Sequence, residues 1–395
     1  MKIVHIADLH LGFRQFQRLT PTGLNQRETD VAQAFKKAID RIIELRPDVI
    51  LVAGDVFHAV RPTNPAILQA YFHFSRLKEE LPETVVVMIS GNHDTPRTME
   101  TGSILSLFKS LGVTVVESEP KSIFFEDRGL HVYAVPDGTT KAARFTPLPQ
   151  AKHNVLLIHT EVEGVINRFS AIGERSSPDL SLRELAPEKW DYVALGHYHV
   201  YRQVAPNAYY SGATEYTSTN IWGEVDEQRE KNIEGKGFIE HDLETGAHRF
   251  HPLYLSRTVI DIPEVSAVGL TAAELSEAIA TAVEKCDGGI DDRIVRLIVR
   301  DVPRHILRDL DHRKIREYKR RALNFLLDAR RPVPPRIEVG SGAPGRRASL
   351  TETVRLMLES RAVTPGIDRK ALVDLGLKYL DEVERLAPAA LGEEA

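Results

Sequence analysis

The sequence is poor in cysteine: Cys286 is the only one among 395 residues. A single cysteine excludes an internal disulfide bond and suits a reducing compartment, and we expect Cys286 to be a small packed side chain. The sequence also has no apolar run of the roughly 18 residues that a transmembrane helix requires. The first residues enter a strand-like run at once, so no signal peptide is visible. These absences predict a cytoplasmic protein that does not associate with a membrane.

Positive charge is not in excess either. The formal net charge is −5, and the isoelectric point is near 6.3. Proteins that bind nucleic acid passively usually carry a basic excess. A polyanionic substrate would therefore have to be recognised by a local site, where two divalent cations would supply about four positive charges.

The length and the residue pattern predict more than one domain. Short runs rich in Val and Ile alternate with helical stretches through the first half, which indicates an α/β fold with sheets sandwiched by helices. We expect this domain over residues 1–250 and a small α+β domain over 256–328. Residues 329–348 are rich in Pro, Gly and Arg and predict a flexible linker. Two amphipathic helices follow within 349–395.

Hydrophobic periodicity predicts individual elements in each part. In the first domain we expect strands at 3–7, 49–53, 85–89, 113–116, 131–135, 154–158 and 192–195. The predicted helices of this domain lie at 28–45, 64–77 and 102–110. In the second domain we expect a strand at 256–262, a helix at 271–284, a strand at 294–299 and a helix at 313–327. The tail helices are expected at 349–362, where Ser349 and Glu352 form a capping box, and at 368–386.

Side chains that bind metals follow five of the predicted strands. In chain order they are Asp8 and His10, Asp55, Asn92 and His93, His159, and His197 and His199. Ligands gather at the carboxyl ends of strands in open α/β sheets, so these five segments predict one rim. Imidazole, carboxylate and amide donors together suit Mn²⁺, Fe²⁺ or Zn²⁺. The lack of a thiolate excludes a cysteine-based structural zinc site.

The five segments resemble, in order, the D-x-H, G-D, G-N-H-D/E, H and G-H-x-H motifs of the calcineurin-like metallophosphoesterases. The resemblance implies a two-sheet α/β sandwich that holds two divalent cations. It implies one set of ligands made of Asp8, His10, Asp55 and His199. It implies a second set made of Asp55, Asn92, His159 and His197, with Asp55 as the bridge. His93 would be the catalytic imidazole beside the metals.

Those roles agree with the chemistry of phosphoester hydrolysis. Two divalent ions roughly 4 Å apart lower the pKa of water between them and neutralise charge on phosphoryl oxygens. A protonated His93 can donate to the departing oxygen near neutral pH. Asp94 either orients His93 or turns the chain.

A narrower resemblance concerns Gly54-Asp55-Val56-Phe57-His58, which is similar to the G-D-x-F-H form of the SbcD-type nucleases of DNA double-strand-break repair. The segments 6–12, 90–94 and 192–199 match the same family, whereas 209–215 departs slightly around Gly212. The resemblance implies a nuclease that uses Mn²⁺ best, acting as an exonuclease on duplex ends and an endonuclease on single strands. His58 would help position DNA at the scissile phosphate. The second domain would be a capping domain that discriminates DNA structures.

The tail and the partners leave alternatives open. In the SbcD-type family, helices beyond a linker dock on an SMC-like ATPase of the SbcC type. Here they can equally pack on this chain's own domain or form a homodimer. The basic residues within 313–321 either contact phosphates or form a solvated helix face. For the whole chain, a small-molecule phosphodiesterase or phosphatase and a non-catalytic scaffold for DNA or an ATPase are the alternatives to a nuclease.

Overall fold

A computed structural model of the chain describes residues 1–96, 102–165, 180–332, 350–361, 363 and 367–386. Contacts divide the chain into two compact units. The first unit comprises Met1–Ile260, Ile290–Val295 and Lys319–Phe325, and the second comprises Asp261–Gly289, Arg296–Tyr318 and Leu326–Ala395. Residues 333–348 of the predicted linker and the predicted cap Ser349 lie outside the described residues.

Twelve strands of the first unit are described. They are β1 (Lys2–Ile6), β2 (Val49–Val52), β3 (Val85–Ile89), β4 (Thr114–Val116), β5 (Lys121–Phe125), β6 (Leu130–Val135), β7 (His153–His159), β8 (Tyr192–Gly196), β9 (Arg202–Ala205), β10 (Ala208–Tyr210), β11 (Gly237–Asp242) and β12 (His248–Pro252). Its α-helices are α1 (Gln26–Leu45), α2 (Asn64–Glu80), α3 (Leu182–Leu185) and α4 (Ile221–Glu230). Its 3₁₀ helices are Ile104–Leu111, Glu126–Arg128, Thr140–Ala142 and Pro187–Lys189.

These strands form two sheets of six. The first has the order β12-β11-β1-β2-β3-β4, and the second has the order β5-β6-β7-β8-β10-β9. In the first sheet β1, β2, β3 and β4 run parallel, and in the second β6, β7, β8 and β10 do. The α/β fold with two sheets that the sequence predicted is thus confirmed.

Apolar side chains fill the space on both faces of each sheet. One core lies between the first sheet and helices α1 and α2, and it includes Phe35, Phe57 and Phe74. A second core joins the facing sides of the two sheets, where Leu51 and Leu157 are fully buried. A third core covers the outer face of the second sheet. Burial on both faces explains why the central strands are apolar throughout.

Helix boundaries follow from local signals. The side chain of Asn25 accepts a hydrogen bond from the backbone of Arg27 and begins α1, and Arg46 ends the helix in a left-handed conformation. Thr63 caps α2 in the same way. In the second unit Thr271 and Glu274 form a capping box at the start of a helix, so that both side chains satisfy backbone N–H groups.

The chain from Val259 to Ala329 forms a three-stranded sheet with the order β13 (Val259–Ser266), β14 (Ile294–Arg300) and β15 (Asn324–Ala329). Its helices are α5 (Ala272–Glu284), α6 (Arg304–Arg308) and α7 (His312–Arg321). The predicted helix at 313–327 is wrong at its C-terminal end, because the helix stops at Arg321 and residues 324–327 belong to β15. Phe325 is buried and Leu326 exposed, which is the alternation of a strand that pairs along a sheet.

The tail contains α8 (Leu350–Ser360) and α9 (Arg369–Leu386), which pack on each other. Their approach is close, because a Cβ atom on Gly376 of α9 would lie 2.4 Å from Leu358 of α8. The side chain of Arg369 donates a hydrogen bond of 2.9 Å to the backbone oxygen of Arg361 just after α8. Among the helices that the structure describes, none has the length and apolarity needed to cross a membrane.

Candidate metal centre

The loops that follow β1 and β2 run side by side at one edge of the first sheet. The backbone N–H of Asp8 donates to the oxygen of Gly54 over 3.1 Å, and that of His10 donates to the oxygen of Asp55 over 2.9 Å. Because β1 and β2 are parallel, their carboxyl ends meet at this edge. The topology therefore brings Asp8, His10 and Asp55 together although the chain separates them.

Four of the predicted site residues have left-handed backbones. The φ angles are +53° for Asp8, +45° for His10, +51° for Asp55 and +99° for His197. This region costs a residue with a side chain about 1 kcal/mol or more, and such conformations concentrate at functional sites. The backbone is therefore bent away from its preferred form where it presents these side chains.

Two motif glycines leave the space in which the polar side chains meet. A Cβ atom on Gly54 would lie 2.4 Å from Nδ1 of His159, and one on Gly91 would lie 2.1 Å from Oδ1 of Asp55. Both distances are far below van der Waals contact. Any larger residue at these positions would displace the imidazole or the carboxylate.

Asp8, His10 and His199 form one group of possible metal ligands, with their ligand atoms within 4.8 Å of one another. The Nε2 atoms of His10 and His199 are 3.0 Å apart. The carboxylate of Asp8 accepts a hydrogen bond of 3.0 Å from the backbone N–H of His197. The loops after β1 and β8 are thereby tied together, and their side chains converge.

Asn92, His159 and His197 form a second group around an amide oxygen. Oδ1 of Asn92 lies 3.0 Å from Nε2 of His159 and 3.1 Å from Nδ1 of His197. Oδ2 of Asp55 lies 3.5 Å from Nε2 of His159 and 3.7 Å from Nε2 of His10 in the first group. Asp55 is thus the residue whose carboxylate reaches both groups.

The two remaining predicted residues, His58 and His93, stack beside the first group with ring centroids 5.0 Å apart. Nδ1 of His93 lies 2.8 Å from the backbone oxygen of His58, so the hydrogen sits on Nδ1. The backbone N–H of His93 donates to Oδ1 of Asp55 over 2.8 Å. Nδ1 of His58 lies 3.3 Å from Nδ1 of His10. All nine predicted site residues therefore belong to one connected cluster, while their individual roles stay predictions.

Asp94 acts on the backbone. Its buried carboxylate accepts hydrogen bonds from the N–H groups of Val56, Phe57 and Gly91, over 2.9 to 3.2 Å. These bonds join the loop that carries Asp55 to the loop that carries Asn92. Of the two roles that the sequence left open for Asp94, this geometry favours that of turning the chain.

The electrostatics of the cluster suit a divalent cation. Burial raises the pKa of Asp8 to about 6, although His199 and His159 pull it the other way. Burial and the charge of Asp55 raise the pKa of Asp94 to about 7. Burial and then the neighbouring imidazoles hold the pKa of His10 well below its usual range, which leaves a lone pair for coordination. Crowded buried carboxylates beside neutral imidazoles are stabilised by cations, so the residues fit two such ions.

No pattern in the sequence points to the residues behind His199. Oε1 of Glu224 in α4 lies 3.4 Å from Nδ1 of His199, and the other oxygen of this carboxylate is paired with Lys236. Burial alone would raise the pKa of Glu224, but Lys236 and His199 lower it to about 2. Neither residue belongs to a motif, so only the folded chain reveals them.

A sequence model of the calcineurin-like phosphoesterases matches residues 1–210, which is more than half of the chain and contains all nine clustered residues. The chain belongs to this family. It is a metal-dependent phosphoesterase, as the motifs predicted, and the expected two-sheet fold is the one found.

Within the calcineurin-like phosphoesterases, the chain is similar to archaeal proteins named DNA double-strand break repair protein Mre11. The protein of Methanocaldococcus jannaschii is 31% identical over 289 residues, which are 70% of this chain and 69% of the relative. That of Methanococcus maripaludis is 28% identical over 62% of this chain and 63% of the relative. For Methanopyrus kandleri the match is 28% identical over 51% of this chain and only 45% of the relative.

Proposed function

We propose that this phosphoesterase is a DNA nuclease of double-strand-break repair, of the type shared by the Mre11 and SbcD proteins, and that it uses Mn²⁺. The observation that carries the proposal is the stacked pair His58 and His93 beside the ligand cluster. A phosphoester hydrolase needs one proton donor, whereas this rim presents two adjacent imidazoles. The names of the similar proteins add support for DNA as the substrate.

In this proposal the first ion is held by Asp8, His10, Asp55 and His199, and the second by Asp55, Asn92, His159 and His197. When bound, the two ions would activate water and neutralise charge on the phosphate. The protein's own contribution is orientation. The Nδ1–H of His93 donates to the oxygen of His58, which fixes the ring and directs the Nε2 proton of a protonated His93 at the departing oxygen. His58, whose ring stacks on that of His93, would position the DNA strand.

The exposed apolar residues of the tail and of α2 suggest binding partners. We propose that α8 and α9 dock on an SMC-like ATPase of the SbcC type, since Leu350, Met357 and Leu375 on these helices are largely exposed.

We also propose a homodimer. Helix α2 exposes Leu68 and Phe72 one turn apart, which is an apolar pair that a second copy would cover. In this proposal residues 1–250 form the nuclease domain, residues 256–328 the capping domain and residues 349–395 the partner-binding tail. The protein would work on DNA in the cytoplasm.

The test uses purified full-length protein, Mn²⁺ and end-labelled duplex DNA. We expect cleavage that EDTA stops. His93→Ala should bind Mn²⁺ as the wild type does and lose turnover by at least about 100-fold, the usual contribution of a general acid. Hydrolysis of nitrophenyl phosphates without any cleavage of DNA would identify a small-molecule phosphoesterase. Metal binding without any hydrolysis would identify a scaffold.

A further inference from the structure

A buried ion pair lies directly behind one of the predicted metal ligands. Glu224 comes from α4 and Lys236 from the segment just before β11, and both side chains are almost fully buried. Oε1 of Glu224 is 3.4 Å from Nδ1 of His199. The ammonium of Lys236 donates a hydrogen bond of 2.7 Å to the backbone oxygen of the same histidine. Two charged residues thus converge on the side chain and the backbone of His199.

The burial of these two charges is not explained by stability. Removing a carboxylate and an ammonium from water costs several kcal/mol for each ion, and their attraction often does no more than offset that cost. An apolar pair would hold α4 against the sheet as well. The geometry instead serves His199, because a carboxylate behind a metal-binding histidine fixes which ring nitrogen carries the hydrogen.

We propose that Glu224 and Lys236 are positioning residues of the metal centre. Glu224 keeps the hydrogen of His199 on Nδ1, so that the lone pair of Nε2 points towards His10 and Asp8. Lys236 holds the carboxylate of Glu224 in place and anchors the backbone of His199, while the ring of Tyr216 lies 4.7 Å from its ammonium. This inference rests on the proposed assignment of His199 as a ligand.

The arrangement distinguishes the two ligand groups. In the second group, Nδ1 of His159 lies 2.8 Å from the backbone oxygen of Ala53, which is a neutral partner. The first group has a carboxylate in the corresponding place, and a carboxylate raises the basicity of the imidazole more than a carbonyl does. Loss of Glu224 should therefore weaken one bound ion and spare the other.

The experiment measures Mn²⁺ binding to the full chain by calorimetric titration, for wild type, Glu224→Ala, Glu224→Gln and Lys236→Met. In Glu224→Ala we expect one of the two ions to bind about 10- to 100-fold more weakly, with the other within about threefold of wild type. Glu224→Gln should fall between wild type and Glu224→Ala, because an amide oxygen in the place of Oε1 can accept from Nδ1 but carries no charge. Lys236→Met should weaken the binding of the same ion as Glu224→Ala does.

A matched control is Asp261→Asn. The side chain of Asp261 is buried to the same degree as that of Glu224 and pairs with Arg296 over 2.6 Å. Asp261 belongs to the second compact unit, whereas all the predicted ligands belong to the first. We expect this variant to lower the melting temperature and to leave both Mn²⁺ affinities unchanged. Unchanged affinity in Glu224→Ala, or an equal loss at both ions, would overturn the proposal and leave a purely structural ion pair.

A second readout needs neither a variant nor a metal. In the metal-free wild-type protein, ¹⁵N chemical shifts should report that the hydrogen of His199 is on Nδ1, whereas a hydrogen on Nε2 would overturn the proposal. This proposal can hold even if the proposed nuclease function is wrong, because Glu224 can strengthen the binding of a metal ion in an enzyme that cleaves no DNA. If the binding results hold and DNA is not cleaved, only the nuclease proposal fails.

Discussion

The Nε2 atoms of His10 and His199 lie 3.0 Å apart, although 189 residues separate them in the chain. Both rings are buried, and each approaches from the carboxyl end of a strand in a different sheet, β1 in the first and β8 in the second. The metal centre is therefore built at the edge where the two sheets meet, and it depends on the packing of both.

Gly91→Ala should prevent metal binding. The added Cβ would lie 2.1 Å from Oδ1 of Asp55, so the carboxylate that reaches both ligand groups would have to move. We expect Mn²⁺ affinity to fall by at least about 100-fold, measured by titration calorimetry. Gly23→Ala is the control for an added methyl group that meets no atom within 4 Å. Because Gly23 has a φ of +82°, this variant should lose some stability while it keeps normal Mn²⁺ binding. Normal Mn²⁺ binding by Gly91→Ala would show that the space at Gly91 is not needed.

Asp94→Ala should destabilise the fold and loosen the centre. The backbone N–H groups of Val56, Phe57 and Gly91 would lose their acceptor inside the protein. An unsatisfied buried donor costs about 1–3 kcal/mol, so we expect at least about 3 kcal/mol in the free energy of unfolding by urea. Asp127→Asn, at an exposed position, should change it by less than about 0.5 kcal/mol. A small effect of Asp94→Ala would mean that water replaces the carboxylate.

Acid should destabilise the protein through histidines outside the metal cluster. Burial lowers the pKa of His5 to about 3 and that of His248 to about 4. Below about pH 6.5 these histidines bind protons in the unfolded chain but stay neutral in the folded chain. The free energy of unfolding is therefore highest above pH 6.5 and decreases as the pH falls towards 4. At about 1.4 kcal/mol for each pKa unit, the shift of His5 from 6.5 to about 3 accounts for roughly 5 kcal/mol.

The measurement is the melting temperature of the metal-free protein between pH 7 and pH 4. We expect a steep fall in the wild type and a shallower one in His248→Gln. His305→Gln, which alters an exposed histidine, should follow the wild type. A melting temperature that is flat down to pH 4 would contradict the neutral state of these rings.

His58→Ala should reduce exonuclease activity on duplex ends more than endonuclease activity on single strands. Its ring stacks on that of His93 and lies 4.9 Å from that of Phe13, so we expect its loss to disturb the placement of a strand end beside His93. Both activities are followed on end-labelled duplex and circular single-stranded DNA with Mn²⁺. Equal losses in the two assays would show that His58 does not select the position of the strand.

Much of the first unit could be predicted because its central strands are apolar on both faces. The seven predicted strands from 3–7 to 192–195 each correspond to an observed strand within about two residues. Five strands were missed. Three of them, β5, β9 and β12, are partly exposed edge strands. The other two lie inside the sheets, but β10 has only three residues and β11 ends in polar residues. Polar edge strands gain their pairing from tertiary contacts that no local pattern records.

The candidate site was predictable to a similar extent and for a different reason. Each motif follows a strand, so the parallel topology decides that Asp8, Asp55 and Asn92 meet. Glu224 and Lys236 could not be found in this way. Their approach to His199 depends on how α4 and β11 return to the sheets, and a single buried acid in a helix has no sequence signature.

The measurement that tests the central claim most directly is the number of Mn²⁺ ions bound per chain in wild type and in Asp55→Ala. The wild type should bind two ions, and their magnetic coupling should be visible by electron paramagnetic resonance because Asp55 joins the two ligand groups. Asp55→Ala should lose the coupling and bind neither ion at concentrations that saturate the wild type. A single ion in the wild type, or two coupled ions in Asp55→Ala, would contradict the two-metal centre described above.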